Sequence, residues 1–217
     1  MSAIMKYLLI CILALIFFSC QEPQPKGNIV QDLGQKTEVN NNSNSVSVTE
    51  IPKASESKTK ENILVLKKML YDEVEILVPQ NFRLMNAEEL SLKYENKADK
   101  STEAYANTDG TINIAFQHKQ NPCTLEQLPL LKEQLTGEFK NTPRIKEVKK
   151  SEIQKINGRD FVIIEFISEA MDTKVYNLMF ITSLDNRILL ASFNCTVTQM
   201  PEWKQIGEQI VKSVKIL

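Results

Sequence analysis

Four strand-like runs follow one another in the C-terminal part of the sequence, with only short connections between them. Asn157-Gly158 joins the first two runs, and an Asn-Gly pair favours the type I′ turn of a two-residue β-hairpin. Leu184–Asn186 joins the last two. Strands joined this closely pair antiparallel, because a parallel crossover needs about a dozen residues or more. The sequence therefore predicts an antiparallel meander of these runs: Ile145–Ile156, Arg159–Ser168, Lys174–Ser183 and Arg187–Val197.

The apolar pattern of the meander predicts what covers it. Phe161–Ile164 and Leu178–Ile181 are apolar at consecutive positions, so both faces of these strands must be buried, and we expect helices on both sides of the sheet. Ile145–Ile156 carries interspersed lysines and glutamates, which is typical of an edge strand that resists pairing with another chain. The lysines of Lys146–Lys155 are open to two interpretations, a binding site for an acidic partner or a solvated face.

The remaining elements have local signals. Ile63–Leu70 and Val74–Val78 form a predicted hairpin, closed by Pro79, which cannot donate a ladder hydrogen bond. A short helix is predicted after the cap Asn86, and strands Thr102–Ala106 and Thr111–His118 are predicted on either side of the Asn107–Gly110 turn. A second helix follows the Thr124–Gln127 capping box and runs to Lys140, with an apolar stripe of Leu128, Leu131, Leu135 and Phe139. A third helix begins at Pro201, and its apolar stripe is Trp203, Ile206, Ile210 and Val214. The predicted fold class is α/β (α+β), with a central antiparallel sheet of about six strands flanked by helices on both faces.

The order of these elements resembles the PsbP/DcrB-like family over Asn62–Leu217. The resemblance rests on Val74–Pro79 with Phe82, a Gly-turn strand pair, a helix, a meander containing Ile156–Gly158 and a closing helix that bears Trp203. It implies an antiparallel sheet between helices and no shared catalytic residue. Members of the family act as extrinsic subunits, chaperones or envelope proteins.

The N-terminus is typical of a secreted protein. Lys6 precedes an apolar run, Tyr7–Phe18, which is shorter than the about 20 residues of a transmembrane helix and is followed by Ser19 and Cys20. Phe17–Cys20 resembles the lipobox of bacterial lipoproteins. We expect residues 1–19 to be a signal peptide and Cys20 to carry fatty acyl chains such as palmitate, with ordinary secretory cleavage as the alternative.

A polar segment connects Cys20 to the folded domain. Residues 20–61 contain Pro23, Pro25 and Pro52 and the tract Asn40–Ser45, without helical or strand periodicity. Such a composition cannot bury enough apolar surface to offset the entropy of ordering, so a disordered tether is expected, with a partner-binding segment as the alternative. Residues 62–217 form the predicted domain. The formal net charge of −1 offers no general attraction for nucleic acid.

Few residues suggest chemistry. Cys123 and Cys195 remain in the mature chain, either as a disulfide in an oxidising compartment or as two buried free thiols. His118, the only histidine, could form a metal site with them, but structural zinc takes four closely spaced ligands, so a polar residue at the end of a strand is the favoured interpretation. No metal or cofactor is predicted. Glu165 interrupts an apolar strand. It is either a carboxylate with a raised pKa or a residue that lies where the strand nears solvent or pairs with a neighbouring lysine.

Together these observations favour a non-enzymatic lipoprotein of the cell envelope. The lipid would hold it on the periplasmic side of the membrane or at the outer membrane, and its domain would bind an unidentified protein partner as an accessory module. The alternative is a module that binds a small molecule or a lipid in an apolar cleft between sheet and helices. A hydrolase is least favoured, because no nucleophile and base pair stands out.

Overall fold

The computed structural model describes residues 63–94, 101–170 and 172–217, which contain three helices and ten strands. The helices are α1 (Ala87–Tyr94), α2 (Leu128–Asn141) and α3 (Met200–Ser213). The strands are β1 (Leu64–Met69), β2 (Val74–Pro79), β3 (Arg83–Leu84), β4 (Thr102–Ala106), β5 (Asn113–Pro122), β6 (Ile145–Ile156), β7 (Arg159–Glu169), β8 (Lys174–Leu184), β9 (Arg187–Thr196) and β10 (Lys215–Ile216). The predicted signal peptide, Cys20 and the tether lie outside the described residues.

The predicted meander is confirmed. The larger sheet is antiparallel throughout, in the order β3-β4-β5-β9-β8-β7-β6, which places β6 at an edge as expected. Asn157 and Gly158 both have positive φ angles, of 46° and 84°, as a type I′ turn requires. Asp185 and Asn186 also have positive φ angles, of 51° and 57°, so the second hairpin uses the same device.

The strand count differs from the expectation of about six. The larger sheet has seven strands, and the predicted β1–β2 hairpin pairs with β10 in a separate three-stranded sheet. Strands β3 and β10 have two residues each, too few to produce a hydrophobic period in the sequence.

Helices cover both faces of the larger sheet, as its apolar pattern predicts. On one face, Leu135 and Phe139 of α2 are buried against Val162, Ile164 and Phe166 of β7. The opposite face is covered by α3 together with the three-stranded sheet, and its buried side chains are Ile76, Phe161, Ile163, Phe180, Phe193, Trp203 and Ile210, among others. The alternation along β7 therefore divides the core into two layers.

Helix α3 packs tightly against the sheet at Gly207. A Cβ atom at this position would lie 2.6 Å from Cδ1 of Phe193, a fully buried side chain on β9. Glycine is required here because no side-chain atom fits between helix and ring. Gly137, in α2, has open space where its Cβ would be, with no atom within 4 Å.

A reciprocal cap starts α1. The backbone N–H of Glu89 donates to Oδ1 of Asn86 at 3.0 Å, and the backbone N–H of Asn86 donates to Oε2 of Glu89 at 2.9 Å. Arg83 donates to both carboxylate oxygens of Glu89, at 2.5 and 2.8 Å. This guanidinium, more than the cap, lowers the pKa of Glu89 from about 4.5 to about 2.

The lowered pKa of Glu89 predicts an acid-dependent contribution to stability. Because the folded-state value lies below the unfolded one, the contribution is present above about pH 4.5 and is lost as the pH falls towards about 2. Glu89→Gln keeps an acceptor for Asn86 but loses the charge, so it should lower the free energy of unfolding by about 1 kcal/mol at pH 7 and by almost nothing at pH 2. Urea denaturation at both pH values measures this, and an equal loss at both would contradict it.

Candidate functional site

The two cysteines are free and buried, on opposite faces of the larger sheet. Cys123 packs in the same hydrophobic cluster as Leu128 and Leu131 of α2, whereas Cys195 packs in the cluster that contains Trp203. The sequence leaves two alternatives, a disulfide or two buried free thiols, and the structure has the free thiols. Burial raises the pKa of Cys123, and it raises that of Cys195 to about 12, so both are protonated and poorly nucleophilic at neutral pH.

Alkylation should report this burial. In native protein without reductant, we expect Cys195 to resist iodoacetamide for as long as the protein stays folded. In guanidinium, Cys123 and Cys195 should both be alkylated without prior reduction, and intact mass before and after unfolding measures the count. A mass that shows no alkylation until reductant is added would contradict the free-thiol structure.

Glu165 is paired with a lysine. Its carboxylate is buried on β7 and accepts a hydrogen bond from Nζ of Lys204 in α3, at 2.5 Å. The same ammonium lies 5.8 Å from the ring centroid of Tyr176, whose buried hydroxyl has no hydrogen-bond partner among the described residues. Burial, and then the charge of Glu165, raises the pKa of Tyr176. The pairing confirms the second interpretation of Glu165 and leaves it a structural role between sheet and helix.

His118 is not brought together with the two cysteines, which lie on opposite faces of the sheet. Its Nε2 lies 3.0 Å from the carbonyl oxygen of Leu184. Glu73 and Asp185 lie beside it, and one ligand atom of each of these three residues lies within 4.8 Å of the others. These three residues are far apart along the chain, so no local pattern in the sequence groups them.

A groove between α2 and the edge strand β6 is lined mainly by charged side chains. We call it the lysine groove. Its volume is about 320 Å³, and its lining residues are Lys132, Glu133, Thr136, Lys140, Val148, Lys149, Lys150 and Ser151. The hydroxyls of Thr136 and Ser151 share a hydrogen bond of 2.5 Å, which ties the helix to the strand inside the groove.

Two bulges shape the strand wall of the groove. The pairing of β6 with β7 skips one residue between Ile145 and Glu147 and another between Val148 and Lys150, which leaves Lys146 and Lys149 as the extra residues. Bulges and lysines both discourage a further strand from adding to a sheet edge. This edge of the sheet is therefore protected against strand addition.

Three of the four lysines in the groove form ion pairs with exposed glutamates, and one of these pairs joins Lys150 to Glu152 at 2.8 Å. Lys149 pairs with Glu147 at 3.0 Å and Lys132 with Glu133 at 2.8 Å, and these glutamates are largely exposed. The hydrogen bond from Lys132, then the charge of Lys132 and, to a smaller extent, that of Lys140 lower the pKa of Glu133. Exposed ion pairs contribute at most about 1 kcal/mol, so an external carboxylate can replace them at small cost.

The charge pattern of the sequence predicts only the strand half of this surface. Lys132, Thr136 and Lys140 are four residues apart, a spacing that places them on one face of a helix. That spacing was the available signal, but the pairing of this face with β6 is a property of the tertiary fold.

The fold can be compared with solved structures, although no family model matches the sequence and no curated protein does. The solution structure of cyanobacterial PsbP (CyanoP) from Synechocystis sp. PCC 6803 matches 76% of this chain and 99% of its own, with a TM-score of 0.52 and 12% sequence identity. The domain has a PsbP-like fold. The match confirms the fold that the resemblance to the PsbP/DcrB-like family implies. A match at 12% identity shows the fold alone.

Two further structures are more distant from the PsbP-like domain. LpqN, described as involved in cell envelope biogenesis of Mycobacterium tuberculosis, matches 66% of this chain and 82% of its own, with a TM-score of 0.40 and 10% identity. A protein from Bacteroides thetaiotaomicron matches 67% of this chain and 46% of its own, with a TM-score of 0.44 and 13% identity. No helix in the described ranges is long and apolar enough to cross a membrane.

Proposed function

We propose that this chain is a lipoprotein of the cell envelope, anchored through acylated Cys20, and that its PsbP-like domain is a non-enzymatic accessory module that binds a protein partner. The N-terminal sequence supports the anchor, since an apolar run too short to span a bilayer leads directly into the lipobox-like Phe17–Cys20. The tether of residues 20–61 then gives the domain reach from the bilayer.

The lysine groove carries the second half of the proposal. Four lysines and a single glutamate line it, and the lysines come from two elements held together by the Thr136–Ser151 hydrogen bond. A protein segment rich in aspartate and glutamate is the complementary partner, because clustered positive charge raises the rate of encounter with such a segment and excludes basic ones.

The alternative, a lipid or small-molecule site, has less support. The apolar groove beside Cys123, between α2 and Ile188, has a volume of about 60 Å³. Ligand sites for molecules of drug size have volumes of about 300–1,000 Å³. The apolar groove is therefore too small for an acyl chain, whereas the lysine groove suits the side chains of a bound peptide.

Site-specific photo-crosslinking in the native envelope tests the proposal. A photoreactive amino acid at Glu133, an exposed position in the groove, should give a discrete higher-mass adduct, whereas the same amino acid at Glu202, exposed on α3, should not. In the Glu133-substituted protein, Lys140→Glu with Lys149→Glu should reduce the adduct at least tenfold, since it reverses two charges that face the partner.

The matched control is Lys68→Glu with Lys174→Glu, which makes the same charge change at exposed positions outside the groove. This variant should leave the adduct unchanged. If both double variants lost the adduct equally, the effect would come from net charge. If the adduct formed from position 202 instead of position 133, the interface would lie elsewhere. Either result would overturn the groove as the binding surface.

A further inference from the structure

One end of the larger sheet brings three potential metal ligands together. His118 lies on β5, Asp185 in the β8–β9 turn and Glu73 at the end of the β1–β2 turn. One ligand atom of each lies within 4.8 Å of the other two. Ligands of a tetrahedral ion with bonds of about 2.1 Å lie about 3.4 Å apart, so side-chain rotations that bring these atoms closer together would complete the geometry.

His118 is oriented as metal-binding histidines are. A carbonyl oxygen can only accept a hydrogen bond, so the contact of 3.0 Å between Nε2 and the carbonyl of Leu184 places the ring proton on Nε2. Nδ1 of the neutral ring then carries a lone pair. Metal-binding histidines almost always donate their other ring N–H to a carboxylate, a carbonyl or a water, which fixes both the ring and its tautomer.

Arg187 supplies positive charge to this cluster. Its Nη2 lies 3.5 Å from Nδ1 of His118 and 3.9 Å from Oδ2 of Asp185, and its Nη1 donates to Gln120 at 3.2 Å. The contacts with His118 and Asp185 are too long to be strong. The side chain is about one-third exposed, so it can turn towards solvent and leave both ligand atoms to an ion.

We infer that Glu73, His118 and Asp185 form a binding site for a divalent transition-metal ion of the zinc class. Two carboxylate oxygens and one imidazole nitrogen suit zinc better than calcium, which takes oxygen ligands only. With three protein ligands, a fourth position remains for water or for a group from outside the chain.

A metal at this site would join the two sheets. Glu73 follows the turn of the three-stranded sheet, and its carbonyl accepts the backbone N–H of Leu217 at 2.9 Å, whereas His118 and Asp185 belong to the larger sheet. An ion bound to all three would therefore stabilise the packing of β1 and β2 on the rest of the domain, and it would raise the melting temperature as its concentration rises.

Zinc titration of the full chain in detergent micelles, without a polyhistidine tag, tests this inference. We expect saturable binding of one Zn²⁺ per chain by calorimetry and a rise in melting temperature, with the imidazole NMR signals shifting as the site fills. Because His118 is the only histidine, those signals report on this site alone.

The decisive variant is Asp185→Asn. Asp185 has a φ of 51°, a conformation that asparagine adopts readily, so the turn should be preserved while one carboxylate is lost. We expect zinc affinity to fall at least tenfold. Asp72→Asn makes the same change at an exposed position with a φ of 68°, outside the three ligands, and should leave affinity within about twofold of the wild-type value.

Arg187→Gln should have the opposite effect and raise zinc affinity about fivefold or more, because it removes a cation from beside the ion. No saturable binding up to 100 times the protein concentration would overturn the site. Equal losses in Asp185→Asn and Asp72→Asn, or binding that leaves the His118 signals in place, would show diffuse attraction to acidic groups and would overturn it as well.

Discussion

Replacing Cys20 with serine should transfer the protein from the membrane fraction to the soluble fraction. Each buried methylene of an acyl chain contributes about 0.8 kcal/mol to membrane affinity, and two or more chains make attachment stable where one chain is marginal. Serine cannot form the thioether that carries the lipid. Because the apolar run Tyr7–Phe18 is too short to act as a span, we expect no substitute anchor in its place.

Cys11→Ser is the matched control for this change. Cys11 lies within the predicted signal peptide and leaves with it, so that variant should remain membrane-bound and should incorporate labelled palmitate as the wild type does. Fractionation and fatty-acid labelling measure both properties. If Cys20→Ser still sedimented with membranes, or if the wild type took up no label, the lipoprotein proposal would be wrong.

Local signals in the sequence predicted most of the larger sheet. The turn residues of Asn157-Gly158 act over only a few bonds, and two-residue turns dictate which strands pair and in what register. The charge pattern of β6 depends only on its exposure, so it identified the edge strand before any neighbour was known. The apolar stripe of α2 was also predicted correctly, because it is a local pattern. Its buried residues are Leu128, Leu131, Leu135 and Phe139.

The missed features depend on contacts between distant parts of the chain. β10 pairs with β2 because α3 ends next to that edge of the smaller sheet. No local pattern in Lys215–Ile216 indicates this pairing. The lysine groove combines a helix face with an edge strand. Glu73, His118 and Asp185 come from the β1–β2 turn, strand β5 and the β8–β9 turn. Side chains at such sites are selected by their neighbours in space, so the sequence shows the residue types but not their grouping.

Gly207→Ala should destabilise the domain, although alanine is the better helix former by about 1 kcal/mol. The added Cβ would lie 2.6 Å from the ring of Phe193, which is fully buried and has no room to withdraw. Overpacking of this kind costs about 1–3 kcal/mol, and at so short a distance we expect the upper end of that range. The net loss in the free energy of unfolding should therefore be about 2 kcal/mol, measured by urea denaturation.

Gly137→Ala provides the matched control, because it makes the same substitution in α2 where no atom lies within 4 Å of the new Cβ. Only the helix propensity changes there, so stability should rise by about 1 kcal/mol. The two alanine variants should thus differ by about 3 kcal/mol, with opposite signs relative to the wild type. Equal stabilisation in both would mean that α3 does not rest on Phe193 through Gly207, and the packing of α3 that closes this face of the core would have to be redrawn.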